Sequence, residues 1–330
     1  MISSAFRKMG LSRKSRLPFN MFDALESASE AKAARKLERL YHKGQDKAWD
    51  GKEYLQELID KHGGINLSVE QGDAIRRLFA VILWGELAAW KISAALALKL
   101  EPLGAKMAAT SQAHDEARHF YVMHDYLAHI GEVPKSLSTS TALALERVLK
   151  ADHPAKMLLG MQLVIEPMAL TLFHLVRERE IEPVLSELLR RFEQDEARHV
   201  ALGVLYLPSV MKTMSTWEFI DLAQFQFREY MLQFSMLKEL AEDFKALGIE
   251  PREVFDLGRK KQLLATQMFA DQVGRDLPIT ETFLRMSDFR AELDFPEEDV
   301  DAGFLKRFKR ALDAGFAPRE RIQGRLTTVR

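Results

Sequence analysis

The 330-residue sequence contains no cysteine. Disulfides, iron–sulfur clusters, cysteine-ligated zinc and thiol nucleophiles are therefore excluded. The formal net charge is only −1, which gives no indication of a nucleic-acid partner. We expect no secretory signal, because no long apolar run follows the basic residues near the N-terminus.

Long apolar runs are equally scarce, and no stretch approaches the length of about 20 apolar residues that spans a bilayer. We therefore expect a cytoplasmic protein without a membrane span. Hydrophobic residues make up 47% of the chain, which is enough for a large buried core. The basic ends, residues 1–20 and 306–330, are interpreted as solvated tails or subunit contacts, and we expect a homodimer.

Alternating strand-like runs are scarce, whereas apolar residues recur at three- and four-residue spacing, which predicts an all-α protein. The long helices at 68–101, 103–130, 154–180 and 183–208 are paired by two short turns and joined by a longer crossover, as in a four-helix bundle. We expect an N-terminal extension with a helix at 1–67, the bundle at 68–212 and C-terminal helices packed on it at 213–330. Further helices are predicted at about 23–44, 141–150, 216–247, 251–275, 279–293 and 301–315.

A short motif occurs twice in the bundle. The stretch "HDEARH" ends at residue 119, and "QDEARH" ends at residue 199. Each copy places a glutamate three positions before a histidine, as Glu116 and His119 and as Glu196 and His199. Residues three apart project from the same face of a helix. Each copy therefore presents a carboxylate and an imidazole together.

The preceding helix of each hairpin contains one acid in an otherwise apolar stretch, Glu86 in "FAVILWGELAAWKISAAL" and Glu166 in "MLLGMQLVIEPMALTLFHL". Glu86 and Glu116 are 30 residues apart, as are Glu166 and Glu196, and the two pairs are offset by 80 residues. At about 1.5 Å per residue, each chain rises about 20 Å to its turn and descends about as far. Four glutamates and two histidines are thus predicted to meet in one layer of the bundle.

Such a layer is expected to bind metal. Four buried carboxylates without partners would protonate or repel one another, whereas two divalent cations neutralise them. Oxygen ligands with one imidazole per metal suit iron or manganese better than zinc or copper. A glutamate from each of two helices and Glu-x-x-His from the other two is an established di-metal pattern for helical bundles, which we use as a template.

At these residues the chain resembles the ferritin-like di-iron carboxylate superfamily, and the two "DEARH" motifs look most like those of its oxygen-activating branch. The resemblance covers residues 68–210 and implies a ferritin-like bundle. It implies that Glu86, Glu116 and His119 hold one iron and that Glu166, Glu196 and His199 hold the other, with one or two carboxylates bridging. By the same resemblance, Asp115 and Asp195 accept a hydrogen bond from a ligand histidine, and Arg118 and Arg198 balance these aspartates.

No single subfamily fits cleanly. Met123 stands where ribonucleotide reductase small subunits have the radical tyrosine, and Leu170 stands where the monooxygenases have a threonine. Phe192 stands where arylamine N-oxygenases have an extra histidine ligand. Pro167, directly after Glu166, is expected to disturb the helix at a ligand.

The function implied by the resemblance is oxidation of a small hydrophobic organic substrate with O₂ as co-substrate, by hydroxylation, desaturation or N-oxygenation. The cofactor would be two iron ions or a manganese–iron pair. The chain has no flavin motif or cysteine-ligated cluster, so an external reductase or ferredoxin is expected to supply electrons, unless the substrate itself donates them. The alternatives are a ferroxidase, another iron-handling or ligand-binding protein, and a subunit that generates a radical for a partner.

Overall fold

The computed structural model describes residues 35–261, 278–297 and 302–317, and every regular element in these ranges is helical, as predicted. The parts of the predicted helices 23–44 and 251–275 that precede 35 or follow 261 lie outside the described residues. In chain order the helices are α1 (Arg35–Asp46), α2 (Gly51–His62), α3 (Val69–Lys99), α4 (Leu103–Ile130), α5 (Thr139–Leu149), α6 (Pro154–Glu178), α7 (Pro183–Lys212), α8 (Thr216–Glu239), α9 (Ala241–Ala246), α10 (251–261), α11 (Pro278–Asp294) and α12 (Phe304–Gly315).

The bundle is formed by α3, α4, α6 and α7, with α5 in the crossover between the two hairpins. Ser68 begins α3 with a reciprocal capping box: its side chain accepts from the Gln71 N–H, and the Gln71 side chain accepts from the Ser68 N–H. Gly131 ends α4 with a φ of 148°, which favours glycine. Both boundaries agree with the sequence prediction.

The core consists of two apolar clusters, one on each side of the predicted metal layer. On α3, Leu83 belongs to one cluster and Ala89 to the other, and Glu86 lies between them. On α7, Phe192 and Leu202 flank Glu196 in the same way. The polar layer is therefore enclosed by hydrophobic packing above and below, which keeps bulk water away from it.

Helix α6 is interrupted by a π-helical turn at Met161–Ile165, immediately before Glu166. The Glu166 N–H donates to the carbonyl of Met161, five residues earlier. Pro167 cannot donate a backbone hydrogen bond. In the π turn, the side-chain amide of Gln233 on α8 donates to the Val164 carbonyl at 2.8 Å. The predicted distortion beside Glu166 is confirmed, and it takes the form of a π turn.

The helices differ from the sequence prediction in three places. Helix α2 was missed, because only Gly51, Leu55 and Leu58 are buried in it and its apolar pattern is weak. Helix α7 was predicted to end near Pro208, but it continues through this proline to Lys212. Pro208 removes one backbone hydrogen bond, and only the last helical turn follows it. The predicted helix 216–247 is divided at Leu240 into α8 and α9.

Two helices, α3 and α6, are long and apolar enough to cross a membrane by length and composition alone. The expectation that no apolar stretch approaches the length that spans a bilayer was therefore wrong for these two helices. In their most apolar windows, 44% of the residues of α3 and 72% of those of α6 are buried inside the protein. These helices also carry Glu86 and Glu166, so their place in the bundle accounts for their apolar character.

Candidate metal centre

The six predicted ligands come together in the middle of the bundle, and all are buried. Ligand atoms of Glu86, Glu116, His119 and Glu196 lie within 4.8 Å of one another, and so do those of Glu116, Glu166, Glu196 and His199. Glu116 and Glu196 belong to both groups. The geometry therefore fits two metal positions, with Glu116 and Glu196 placed to bridge them.

Both histidines direct Nδ1 towards the carboxylates. His119 Nδ1 lies 3.1 Å from Glu196 Oε1 and 3.4 Å from Glu86 Oε2. His199 Nδ1 lies 3.1 Å from Glu116 Oε1 and 3.1 Å from Glu196 Oε2. Nδ1 is thus the nitrogen that a metal would meet in each half of the site.

The donor set has unsatisfied atoms that fit metal ions. Among the described residues, Glu116 Oε2, His119 Nδ1, Glu166 Oε2 and Glu196 Oε1 are buried without a hydrogen-bond partner. Burial, reinforced by repulsion from Glu196, raises the pKa values of Glu86 and Glu166 well above the ordinary range. Divalent cations would satisfy these atoms and stabilise the charged carboxylates, as the chemistry of iron or manganese sites requires.

The aspartates of the two motifs orient the histidines across the bundle. His119 Nε2 lies 3.1 Å from Asp195 Oδ2, and His199 Nε2 lies 3.3 Å from Asp115 Oδ2. Each histidine is therefore held by the aspartate of the other motif. This arrangement fixes Nε2 as the protonated nitrogen and leaves Nδ1 available as a ligand.

The arginines of the motifs neutralise the aspartate pair. Arg118 Nη2 lies 2.7 Å from Asp115 and 2.9 Å from Asp195, and Arg198 Nη2 lies 2.8 Å and 2.7 Å from the same two residues. Burial acts against ionisation, but the hydrogen bonds from the histidines lower the pKa values of both aspartates. The structure thus brings these four residues together behind the ligand histidines, in the positions that the resemblance implied.

Sequence reasoning missed two buried glutamines beside the ligands. Gln112 Nε2 donates to Glu166 Oε1 at 2.6 Å and to Glu116 Oε1 at 3.0 Å. Gln162, in the π turn, donates through Nε2 to Gln112 Oε1 at 3.1 Å. Each glutamine lies four positions before a ligand glutamate, so a search one helical turn before the ligands would have found both.

The other half of the site has an aromatic side chain at the matching position. Phe192 lies four residues before Glu196 and stacks on the His119 ring with centroids 4.1 Å apart. Ile82, four residues before Glu86, matches Gln162 in the same way. The duplicated motif therefore supplies equivalent ligands in two different environments, one with amides and one that is apolar.

The segment between α1 and α2 covers the site on the side of the aspartates, which sequence reasoning also missed. Trp49 Nε1 donates to Asp195 Oδ2 at 2.9 Å, the same oxygen that His119 contacts. Arg118 lies over the Trp49 ring at 4.7 Å from its centroid. A continuous chain of contacts thus joins half-buried Trp49 to a ligand histidine.

An apolar cavity of about 60 Å³ opens onto the candidate ligands, and its lining includes neither the two histidines nor the two aspartates. All four ligand glutamates line it, and the remaining wall is mostly aliphatic, with Gly85, Leu145 and Met236 among its residues. Met161 and Met168 line it as well. The volume suits a few small molecules of the size of water, and flexible methionines allow the wall to adjust.

Other candidate side chains point elsewhere. Glu193 forms an ion pair with Arg177 at 3.2 Å and belongs to neither ligand group. The side chain of His174 is 34% exposed and lies 3.7 Å from Glu178. His114 and His124 are exposed.

Known proteins resemble this chain in structure and not in sequence. No family model and no curated protein matches the sequence. Protein 19 with aldehyde deformylating oxidase activity from Synechococcus has a similar structure, with a TM-score of 0.54 at 15% identity over 66% of this chain and 97% of that one. An R2-like ligand-binding oxidase variant with an aerobically reconstituted Mn/Fe cofactor gives a TM-score of 0.43 at 16% identity over 72% of this chain and 92% of that one. The similarity to the Synechococcus protein and the four-helix arrangement show that this chain has a ferritin-like helical-bundle fold.

Proposed function

We propose that the protein is an O₂-dependent oxidase or oxygenase with two iron ions, or a manganese and an iron ion, that oxidises a small apolar organic substrate. The observation that carries this proposal is the apolar cavity lined by all four ligand glutamates. A site for iron oxidation alone would not need an apolar chamber beside the carboxylates. The similarity to a protein with aldehyde deformylating oxidase activity is in keeping with the proposal.

Glu86 and His119 would hold one metal and Glu166 and His199 the other, with Glu116 and Glu196 shared between them. The bound metals would supply the redox chemistry that reduces O₂. Hydroxylation, desaturation and N-oxygenation are all reactions of this O₂-dependent class, and the mostly aliphatic cavity wall does not favour one of them over the others.

The protein's own residues control geometry, charge and water. Asp115 and Asp195 hold the imidazoles with Nδ1 facing the site, and the arginine pair neutralises the charge of both aspartates. The Gln112 amide restrains Glu116 and Glu166. The apolar cavity wall excludes water from the reacting centre, which strengthens electrostatic interactions inside it.

Electrons would come from a separate reductase or ferredoxin. The described residues offer one covered route from outside, since half-buried Trp49 contacts the Asp195 oxygen that holds His119. A donor protein that docks over the segment between α1 and α2 would approach this tryptophan.

Metal analysis tests the ligand assignment. The double variant Glu116→Ala, Glu196→Ala should remain helical by circular dichroism but retain little iron after anaerobic loading and gel filtration. Glu193→Ala is the matched control, because Glu193 lies on α7 beside the site but pairs with Arg177. If the double variant still binds two metals per chain, the assignment is wrong.

Cavity filling tests the substrate chamber. Gly85 lines the cavity, and a Cβ added there meets no atom within 4 Å. Gly85→Leu should therefore fill the chamber, keep the metal content and reduce substrate-dependent O₂ consumption at least about tenfold, an effect of the size expected when reacting groups are displaced. Gly72→Leu is the control on the same helix, since Gly72 is equally open but lies outside the cavity. Rapid iron oxidation that is independent of every organic substrate, and unchanged in Gly85→Leu, would indicate a ferroxidase instead.

A further inference from the structure

Helix α12 presents an exposed apolar face. Leu305 is 82% exposed, Phe316 is 77% exposed and Phe304 is 62% exposed. Phe308 and Leu312 lie on the same face and are each 37% exposed. At about 100° per residue these five side chains fall within one sector of the helix, so they form a continuous strip rather than scattered exposed residues.

The helix is fixed to the protein along the edge of this strip. Ala311 and Gly315 are buried, and a Cβ at Gly315 would lie 3.1 Å from the Arg285 carbonyl, so α12 approaches α11 closely there. Arg285 donates to the carbonyls of Gly315 at 3.3 Å and Ala317 at 3.0 Å. Phe308 also meets Phe289 edge-to-face at 5.9 Å. The apolar strip therefore faces outward on a helix that is already docked.

The remaining face of α12 is cationic. Lys306, Arg307, Lys309 and Arg310 occupy it, and Asp313 is the only acid of the helix. Residues 304–330 contain eight lysines and arginines and two acids, in a chain whose net charge is −1. The positive charge is thus concentrated in the part of the sequence that carries the exposed apolar strip.

A second apolar surface adjoins this region. A groove of about 410 Å³ is lined mainly by residues of α8, including Phe219, Ile220 and Phe227, and by Thr282 of α11. Thr282 lies one helical turn before Arg285, the residue that holds the end of α12. Nearby on α8, Trp217 is 80% exposed. Helix α8 thus adds a second exposed apolar surface, which reaches α11, the helix against which α12 packs.

We propose that this face binds the surface of an anionic lipid bilayer, with α12 lying in the plane of the interface. A helix with an exposed apolar strip bordered by lysine and arginine inserts the strip below the headgroups and places its cations among the lipid phosphates. An anionic bilayer matches both the extended apolar surface and the positive charge. The proposal concerns a surface outside the metal centre and does not depend on the reaction.

Vesicle co-sedimentation of the full-length, metal-loaded protein tests the proposal. The probes are vesicles of phosphatidylcholine alone and of phosphatidylcholine mixed with phosphatidylglycerol. We expect binding to the anionic vesicles to be at least about tenfold tighter, and to weaken at high salt, because the cations are near the surface. The double variant Leu305→Glu, Phe316→Glu should lose this binding while keeping its metal content and its helical circular dichroism.

The matched control is Val69→Glu, Leu98→Glu. Val69 and Leu98 are 84% and 83% exposed on α3, so this variant adds the same two charges in place of equally exposed apolar side chains. It should bind anionic vesicles like the wild type. Equal or absent binding of the wild type to both vesicle types would overturn the proposal. So would a wild-type dimer that does not bind vesicles and dissociates in Leu305→Glu, Phe316→Glu, since the strip would then contact a second copy of the chain.

Discussion

Replacing Gln112 with leucine should weaken one metal position more than the other. The Gln112 amide donates to Glu166 at 2.6 Å and to Glu116 at 3.0 Å, and a leucine side chain would keep the volume but lose both hydrogen bonds. A hydrogen bond to a charged group contributes about 1.5–3 kcal/mol. Loss of a residue that orients a ligand typically costs about 10–100-fold in metal affinity. The larger loss should fall on the position held by Glu166 and His199, because the shorter hydrogen bond is to Glu166, which belongs to that position alone, whereas Glu116 belongs to both.

The assay is titration of the anaerobically Fe(II)-loaded protein with a chelator, with metal per chain measured by mass spectrometry. We expect Gln112→Leu to release one metal at about tenfold lower chelator concentration than the wild type and to retain the second. Gln226→Leu is the control, because Gln226 is a buried amide on α8 that donates to Tyr230 and contacts no ligand. Equal weakening of both metals, or no weakening, would refute the assignment of Gln112 to one half of the site.

Three further predictions concern protons and electrons. Burial, opposed by the Arg147 hydrogen bond, raises the pKa of Glu229 from 4.5 to about 7. The folded state therefore holds this proton more tightly, and stability falls as pH rises from about 4.5 through about 7. Glu229→Gln should remove that fall. In urea unfolding it should be more stable than the wild type by up to about 3 kcal/mol at about pH 8, with little difference near pH 4.5. Glu239→Gln, an exposed change on the same helix, should leave the pH dependence of stability unchanged. Metal binding should release protons and become tighter as pH rises, since burial raises the pKa values of Glu86 and Glu166. Calorimetry in buffers of different ionisation enthalpy measures the number of protons released, and metal binding without proton release would contradict the prediction. Trp49→Phe should slow reduction of the oxidised site by an external donor while metal content stays normal, and an unchanged reduction rate in stopped-flow absorbance would exclude the Trp49 route.

The ligands could be predicted from sequence because helices have a fixed rise and periodicity. The spacing of 30 residues, with a turn near its middle, returns both glutamates of a hairpin to similar depth, and the constant offset of 80 residues indicates that the two hairpins are equivalent. The covering segment could not be found in this way. Trp49 reaches Asp195 across 146 residues of sequence, and its position depends on the path of the chain between α1 and α2, which periodicity does not encode.

The amides were missed for a different reason. Gln112 and Gln162 resemble ordinary polar positions of a helix, and although each lies one turn before a predicted ligand, only the structure shows that their side chains contact each other and Glu166. Their burial becomes understandable once the carboxylates are known, because a buried amide needs partners and the ligand oxygens supply them. Prediction therefore extended to the candidate ligands and to the aspartates and arginines of the repeated motif, and it missed the amides, which lie outside that motif.

The two halves of the site are alike where metal binding requires it and differ in what surrounds it. Each half has two carboxylates, one imidazole and the crossed aspartate–histidine contact. The half with His119 is packed by Phe192 and joined through Asp195 to Trp49, whereas the half with Glu166 adjoins the glutamines and the π turn. A donor that approaches Trp49 would therefore reach the His119 half first, while the amides act on the ligands of the other half. This inequivalence is the physical reason for expecting Gln112→Leu to separate two metals that bind through nearly identical ligands.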